Sequence, residues 1–284
     1  MDKISVFGST GFIGSNFCNM YPEEVEKVER DIIYASHNEV LYLISTIDNY
    51  NILSDPTKDI YTNLAVLLEV LWFNKDRKDL VFNFVSSWFV YGDVELPAKE
   101  DACCKPKGFY SITKKCAEDL LISFCETYGL KYRILRLANV IGVGDNGVSP
   151  KKNALQFLIQ KLADNEPIQL YYGGDFDRSY ISVNDVCKAI HFCIHNAPTN
   201  EIINISEGYC RFKTLIEYAK DKLDSDSYIE EVSPSEFHKK VQVKNMCMSN
   251  DKLKSCGFKF RKPSGIMDAI DEVIDEIKRK KQKE

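Results

Sequence analysis

Ile4-Ser5-Val6-Phe7-Gly8-Ser9-Thr10-Gly11-Phe12-Ile13-Gly14 opens the chain with an apolar run that breaks into glycines at 8, 11 and 14. The run reads as a buried strand. The glycines let the backbone turn tightly into a helix, bring N–H groups of residues 8–14 against a pyrophosphate, and seat the helix close to the sheet. Outward from this stretch, strand and helix patterns alternate. A short strand is expected at Val25 to Val28, another at Val40 to Ile44, a helix from Asp59 to Phe73, a strand from Leu80 to Val85, a helix carrying Tyr110 and Lys114 to about Tyr128, and a strand from Tyr132 to Leu137. That order predicts an α/β fold with a doubly wound, parallel Rossmann-type sheet. Beyond Val140 the alternation loosens around Gly142 to Pro150, Gly173-Gly174 and Glu207-Gly208. We therefore expect a dinucleotide-binding domain over residues 1–140 and a smaller substrate lobe over 141–284, the two interleaved.

Two further elements follow the glycine loop in order. Ser86-Ser87 ends the Leu80 to Val85 pattern, and Tyr110-Ser111-Ile112-Thr113-Lys114 places a phenol and an ammonium four residues apart, on one helix face. A neighbouring ammonium lowers a phenol's pKa from its ordinary value of about 10 toward neutrality, which makes Tyr110 a usable acid/base. Ser87 is placed to bond the same substrate oxygen. Ser87, Tyr110 and Lys114 would then surround one carbon facing a nicotinamide, and the chemistry implied is hydride transfer.

Composition bounds the remaining classes. The chain has 284 residues, 44% of them hydrophobic, enough for a large core. Its net charge of −5 offers no footprint for nucleic acid. A charged-then-apolar leader is missing and no apolar run reaches the ~18 residues of a membrane span, so we expect a cytoplasmic protein without a membrane partner. Ten cysteines without a C-x-x-C pair suit reduced, scattered thiols. Cys187, His191 and His195 recur every four residues on one predicted helix, a spacing that also suits zinc. Helix periodicity alone produces such rows and no fourth ligand is visible, so no metal is expected. The cations Lys278-Arg279-Lys280-Lys281 are read as a solvated helix end.

With these residues in view, the chain resembles the extended short-chain dehydrogenase/reductase family, in its nucleotide-sugar epimerase/dehydratase group, over nearly its full length. Val85-Ser86-Ser87-Trp88-Phe89-Val90-Tyr91-Gly92-Asp93 is similar to the Ser-Ser-x-x-Val-Tyr-Gly signature, with Ser87 at the catalytic position. Leu135-Arg136-Leu137-Ala138-Asn139-Val140-Ile141-Gly142 and Arg178-Ser179-Tyr180-Ile181-Ser182-Val183-Asn184-Asp185-Val186 are similar to the post-strand Asn motif and the Arg-x-Tyr-Ile-x-Val-x-Asp motif. The resemblance implies NAD or NADP as cofactor and a nucleotide-diphosphate sugar as substrate. It assigns Gly8, Thr10, Gly11, Phe12, Ile13, Gly14, Ser45, Asn63, Tyr110 and Lys114 to the cofactor, and Ser87, Trp88, Asn139, Asn153 and Arg178 to the substrate. Arg178 would clamp the diphosphate. Structural alternatives are a helix-end or loop cap for Asn63 and Asn139, and for Arg178 an ion pair with Asp175 or Asp177. By analogy alone, a homodimer would form through the helices of residues 59–73 and 117–128.

The departures from that pattern are informative. Trp88 and Phe89 stand where sugar 4,6-dehydratases of the family carry an acid pair, where related decarboxylases carry a Glu and where combined 3,5-epimerase/reductases carry a Cys. Neither ring transfers a proton. Dehydratase and decarboxylase chemistry is therefore disfavoured, leaving an epimerase first and a keto-sugar reductase second. A non-catalytic dinucleotide sensor on the same fold is the competing class. Only the eleven residues 31–41 separate Arg30 from Tyr42, too few for the further helix and strand usual there, so the adenine pocket is expected to be abbreviated. Glu29 suits a ribose hydroxyl and Arg30 a 2′-phosphate, with Asp31 a third candidate, and the balance falls to NAD. Leu43-Ile44-Ser45-Thr46 replaces a His-Leu-Ala-Ala run, its small side chains still admitting a ribose.

Overall fold

The computed structural model describes residues 3–145, 148–260 and 265–282. In chain order its elements are β1 (Ile4–Phe7), α1 (Phe12–Met20), β2 (Val25–Lys27), β3 (Glu39–Tyr42), α2 (Thr57–Ile60), α3 (Val66–Asn74), β4 (Val81–Ser87), α4 (Phe109–Tyr128), β5 (Lys131–Leu137), β6 (Asn139–Ile141), α5 (Ala154–Ala163), β7 (Ile168–Tyr171), β8 (Asp177–Ser182), α6 (Val183–Asn196), β9 (Glu201–Ile205), β10 (Gly208–Arg211), α7 (Phe212–Leu223), β11 (Ile229–Val232), α8 (Glu236–Val241), α9 (Asp251–Ser255) and α10 (Gly265–Lys281). A π-helical turn, Tyr61–Ala65, joins α2 to α3, so the helix expected over Asp59 to Phe73 is present with a wider turn inside it.

Six strands form one parallel sheet in the order β2-β1-β3-β4-β5-β9. Chain reversal beside β1 makes it doubly wound, and the carboxyl ends of β1, β3 and β4 meet at the crevice where ligands bind such sheets. Its strands are buried on both faces, as crossover helices require: Ile4, Val6, Val40, Leu41, Phe82, Ile134 and Leu135 are at most 1% exposed. One core layer packs α1 and α6 on one face of the sheet, and the other packs α3 and α4 on the opposite face.

Between β2 and β3 there is neither helix nor strand, as the short spacing predicts. The segment is tied down by polar contacts instead. Asn74 of α3 accepts from Ala35 N at 3.1 Å and donates to Ile33 O at 2.9 Å, Arg77 donates to Ala35 O, and Ser5 Oγ accepts from His37 N at 3.1 Å.

Past residue 140 the chain builds a second core from α5, α7 and α10 around β7 and β8, with small sheets β10-β8-β6 and β11-β7. It also returns to the first layer. The sixth strand, β9, and its covering helix α6 come from this half, so the two parts interleave.

Candidate active site

Gly8 has φ +81°, and a Cβ on Gly14 would stand 2.2 Å from Gly8 O. The loop closes this tightly only with glycine at both places. No side chain caps α1, whose N-cap is Gly11. Its leading N–H groups and the positive end of its dipole face a cleft of about 1260 Å³ lined by Gly8, Gly11, Phe12, Ile13 and Gly14. Ser86 Oγ, buried in the same wall, has no partner among the described residues. These features fit a dinucleotide.

Ser45, Ser87, Tyr110 and Lys114 line that cleft too. Ser87 leaves β4 and caps the next 3-10 turn, its Oγ accepting from Phe89 N at 3.3 Å. Trp88 and Phe89 stack at 3.9 Å, and Phe89 sets its ring edge-on to Tyr110 at 5.5 Å. α4 begins after Gly108 and presents Tyr110 and Lys114 one turn apart, both buried. Lys114 Nζ donates to Val85 O at 2.8 Å and lies 4.1 Å from the Phe84 ring centre.

Burial governs both titrations. It pushes the Tyr110 phenol up to about 12; hydrogen bonding with Ser87 and Ser45 pulls it part of the way back, and Asp59 and Asp48 add to the rise. It brings Lys114 down to about 7, partly offset by Glu118. The expectation that the ammonium alone would make the phenol acidic is therefore revised. Desolvation disfavours both charged forms, and Lys114 spends a donor on Val85 O.

Other expected residues separate into those on the wall and those behind it. Trp88, Asn139, Asn153 and Arg178 line the cleft; Thr10, Glu29, Arg30 and Asn63 do not. Thr10, Glu29 and Arg30 are exposed. Asn63 is only 2% exposed and fully bonded: its Oδ1 accepts from Ser45 Oγ (3.1 Å) and Thr46 N (2.9 Å), while Nδ2 donates to Thr46 Oγ1 (2.8 Å) and Thr113 Oγ1 (3.0 Å). It ties the segment after β3 to α4. Asn139 donates to Ser179 O at 2.9 Å, and Asn153, in a left-handed conformation, caps α5 while donating to Val140 O at 3.1 Å.

Arg178 is not in the ion pair that its neighbours suggest. Arg211 takes both Asp175 and Asp177. The Arg178 guanidinium donates to the carbonyls of Lys244 and of Val243 (2.5 Å) and stands 5.3 Å from the Trp88 ring and 4.9 Å from Phe176. Burial lowers its pKa to about 10, so it remains a cation on the cleft wall.

Tyr50 and His238 are wall residues that the sequence did not reveal; the Tyr50 hydroxyl lies 3.0 Å from His238 Nδ1 across 188 positions of chain. No local spacing signals such a pair. Ser45, expected at the cofactor, also brings its hydroxyl to the phenol, a contact that its motif does not signal.

Residues 30–206 match the model of the NAD dependent epimerase/dehydratase family. The chain belongs to that family. It is 26% identical over 260 residues to GDP-6-deoxy-D-talose 4-dehydrogenase of Aggregatibacter actinomycetemcomitans, covering 78% of this chain and 82% of that protein. Among solved structures, UDP-N-acetylglucosamine 4-epimerase from Methanobrevibacter ruminantium M1, in complex with UDP-N-acetylmuramic acid, superposes with a TM-score of 0.87 at 22% identity, over 98% of this chain and 99% of that one. RMD from Pseudomonas aeruginosa complexed with NADPH gives 0.84 at 19% identity, over 98% and 100%. These likenesses bear out the Rossmann-type fold. No described helix is long and apolar enough to cross a membrane.

Proposed function

We propose that this protein is an NAD(P)-dependent nucleotide-sugar epimerase that oxidises and re-reduces one sugar carbinol. One observation carries the reading: Ser87, Tyr110 and Lys114 share a cleft wall with the glycine loop, while Trp88 and Phe89 fill the positions after Ser87 with stacked rings that carry no acid. When bound, the nicotinamide supplies reversible hydride acceptance. Tyr110 would act as base in its phenolate form, which a Lys114 protonated beside the bound dinucleotide would favour over the neutral phenol of the unliganded cleft. It would take the hydroxyl proton as the carbinol hydrogen leaves as hydride, and return it when hydride comes back to the opposite face of the ketone. Ser87 holds the oxygen through both passages. Lys114 would hold the ribose hydroxyls, one of which would replace Val85 O as its partner. Arg178, charged and flanked by Trp88 and Phe176, is suited to the diphosphate.

The aromatic pair supports proton shuttling at oxygen over elimination at carbon, because neither ring titrates. A ketoreductase is the second reading, favoured by the same pair of rings. Incubation with a panel of nucleotide sugars and sub-stoichiometric NAD or NADP separates the two: epimer formation without net cofactor change supports the proposal, and a requirement for one NAD(P)H per product supports the reductase. Dinucleotide binding with no conversion of any nucleotide sugar or keto-sugar would overturn both in favour of a sensor.

We also propose a homodimer through α3 and α4. Tyr61, Trp72 and Phe73 are 56–61% exposed and Ile112 is 50% exposed, apolar side chains that the matching helices of a second copy would cover. Sedimentation of the wild type against Trp72→Asp tests this, a wild-type monomer at micromolar concentration being the contrary result.

A further inference from the structure

At the seam between α6 and the turn linking α1 to β2, well outside the cleft wall, three potential ligands converge. His191 and His195 lie one turn apart on the same face of α6, with ring centres 4.4 Å apart. Glu24 comes from the turn before β2 and directs one oxygen, Oε2, at both rings: 2.9 Å to His191 Nε2 and 3.8 Å to His195 Nε2. All the ligating atoms lie within 4.8 Å of one another. No ion is present.

Spacing along the chain groups the two histidines with Cys187, one turn earlier. The tertiary structure removes that cysteine from the set. Cys187 is fully buried, and its thiol points toward Ile13 O at 3.9 Å, on the inner side of α6. A carboxylate 167 positions from His191 takes its place. The ring of Tyr21 stacks on His191 at 4.1 Å and 12°, which restricts that imidazole to a narrow range of orientations.

We propose that Glu24, His191 and His195 bind a divalent transition metal of the zinc class, with water in the remaining position. Ligand atoms about 2.0–2.1 Å from a tetrahedral metal stand about 3.4 Å from each other, a value between the two distances seen here. Rotation of part-exposed side chains by under an ångström at the Glu24 contacts meets it. An i, i+4 histidine pair with a carboxylate is a donor set that suits zinc, cobalt or nickel better than magnesium or calcium. One carboxylate satisfies one imidazole as a hydrogen-bonded pair and leaves the second nitrogen at 3.8 Å, beyond hydrogen-bond length; a shared cation engages all three. Because α6 packs on α1, the metal would clasp the helix of the glycine loop to α6 and stabilise the folded cofactor side of the sheet.

The test uses the untagged full chain after treatment with chelator. Equilibrium dialysis against Zn2+ should give one equivalent per chain. Zn2+ at about a hundredfold excess over its dissociation constant should raise Tm by roughly 5 °C, and Co2+ at the site should give visible d–d absorption. Glu24→Gln and His195→Ala should each lower affinity at least tenfold and abolish the Tm rise while leaving turnover unchanged without metal; Cys187→Ala should keep the equivalent. No bound metal in the wild type shows a simple ion pair only and overturns the proposal. So does binding that survives in the His191→Ala/His195→Ala double variant, or that disappears in Cys187→Ala.

Discussion

Two successive turns of α4 carry buried charge in opposite ways. In the first, Lys114 has one carbonyl partner and an aromatic ring beneath it, and its pKa falls to about 7. In the next, Glu118, 0% exposed, meets Arg136 of β5 through paired contacts, Nε to Oε1 at 3.0 Å and Nη2 to Oε2 at 2.7 Å. Arg136 also donates to Glu100 O at 3.2 Å and stacks 4.8 Å from the Tyr91 ring. Its bonds to Glu118 outlast the cost of burial and hold its pKa above the ordinary value. The satisfied pair locks helix to strand. The half-satisfied lysine keeps donors free for a ligand, at a cost in stability.

The largest expected effect is on the chemistry. Tyr110→Phe should lower kcat by about 10³–10⁴-fold while leaving dinucleotide affinity nearly unchanged, as single-turnover assays and a binding titration would show; retained turnover would remove Tyr110 from its role. On the structural turn, Glu118→Gln strands the Arg136 charge and should cost on the order of 3–5 kcal/mol in urea unfolding. A loss below about 1 kcal/mol would mean that water reaches the pair.

Lys114→Met should do the reverse, abolishing activity while stabilising the fold at neutral pH by a few kcal/mol, roughly the gap between the two pKa values converted to free energy. The native lysine titrates near 7 and the unfolded one near 10.5. Between those values the unfolded chain binds a proton that the native chain does not, so wild-type stability rises with pH through this window and the penalty is complete below about 7. The advantage of the methionine variant should shrink as pH climbs from 7 to 10.5. A constant advantage would show that packing, not charge, is responsible.

The same gap predicts proton uptake. Binding of dinucleotide at pH 8 should draw up to one proton onto Lys114, visible as a dependence of calorimetric heat on buffer ionisation enthalpy. Smallest of all, Ser45→Ala removes one of the hydroxyls that lower the phenol's pKa and should shift the Tyr110-dependent limb of the pH–rate profile upward, with a few-fold loss of kcat. An unmoved limb would leave Ser45 a neighbour only.

Local pattern explains which parts of this were legible. The glycine loop works through backbone geometry that no other residue permits, and Tyr110 and Lys114 share a face because helix periodicity places them there; both are properties of a few adjacent residues. Strand identities followed from apolar runs, with ends displaced by a residue or two. The family resemblance puts Asn63 at the cofactor side, and nothing local to its motif signals the four hydrogen bonds that tie it to Ser45, Thr46 and Thr113. Arg178 stood next to Asp177 in sequence and was open to an ion pair, but strand pairing of β8 with β10 gave both neighbouring aspartates to Arg211.

By itself, the chain's order of residues determined a parallel, doubly wound sheet, a glycine-tight first turn and the serine, tyrosine and lysine that share its cleft, because each depends on backbone dihedrals or on periodicity within one element. Only the tertiary structure decided how far burial shifts the phenol and the ammonium, which asparagine touches the cleft and which supports it, and that Glu24 rather than Cys187 joins His191 and His195. Those outcomes depend on desolvation and on distances between groups far apart along the chain, and both quantities come into being only when the layers pack.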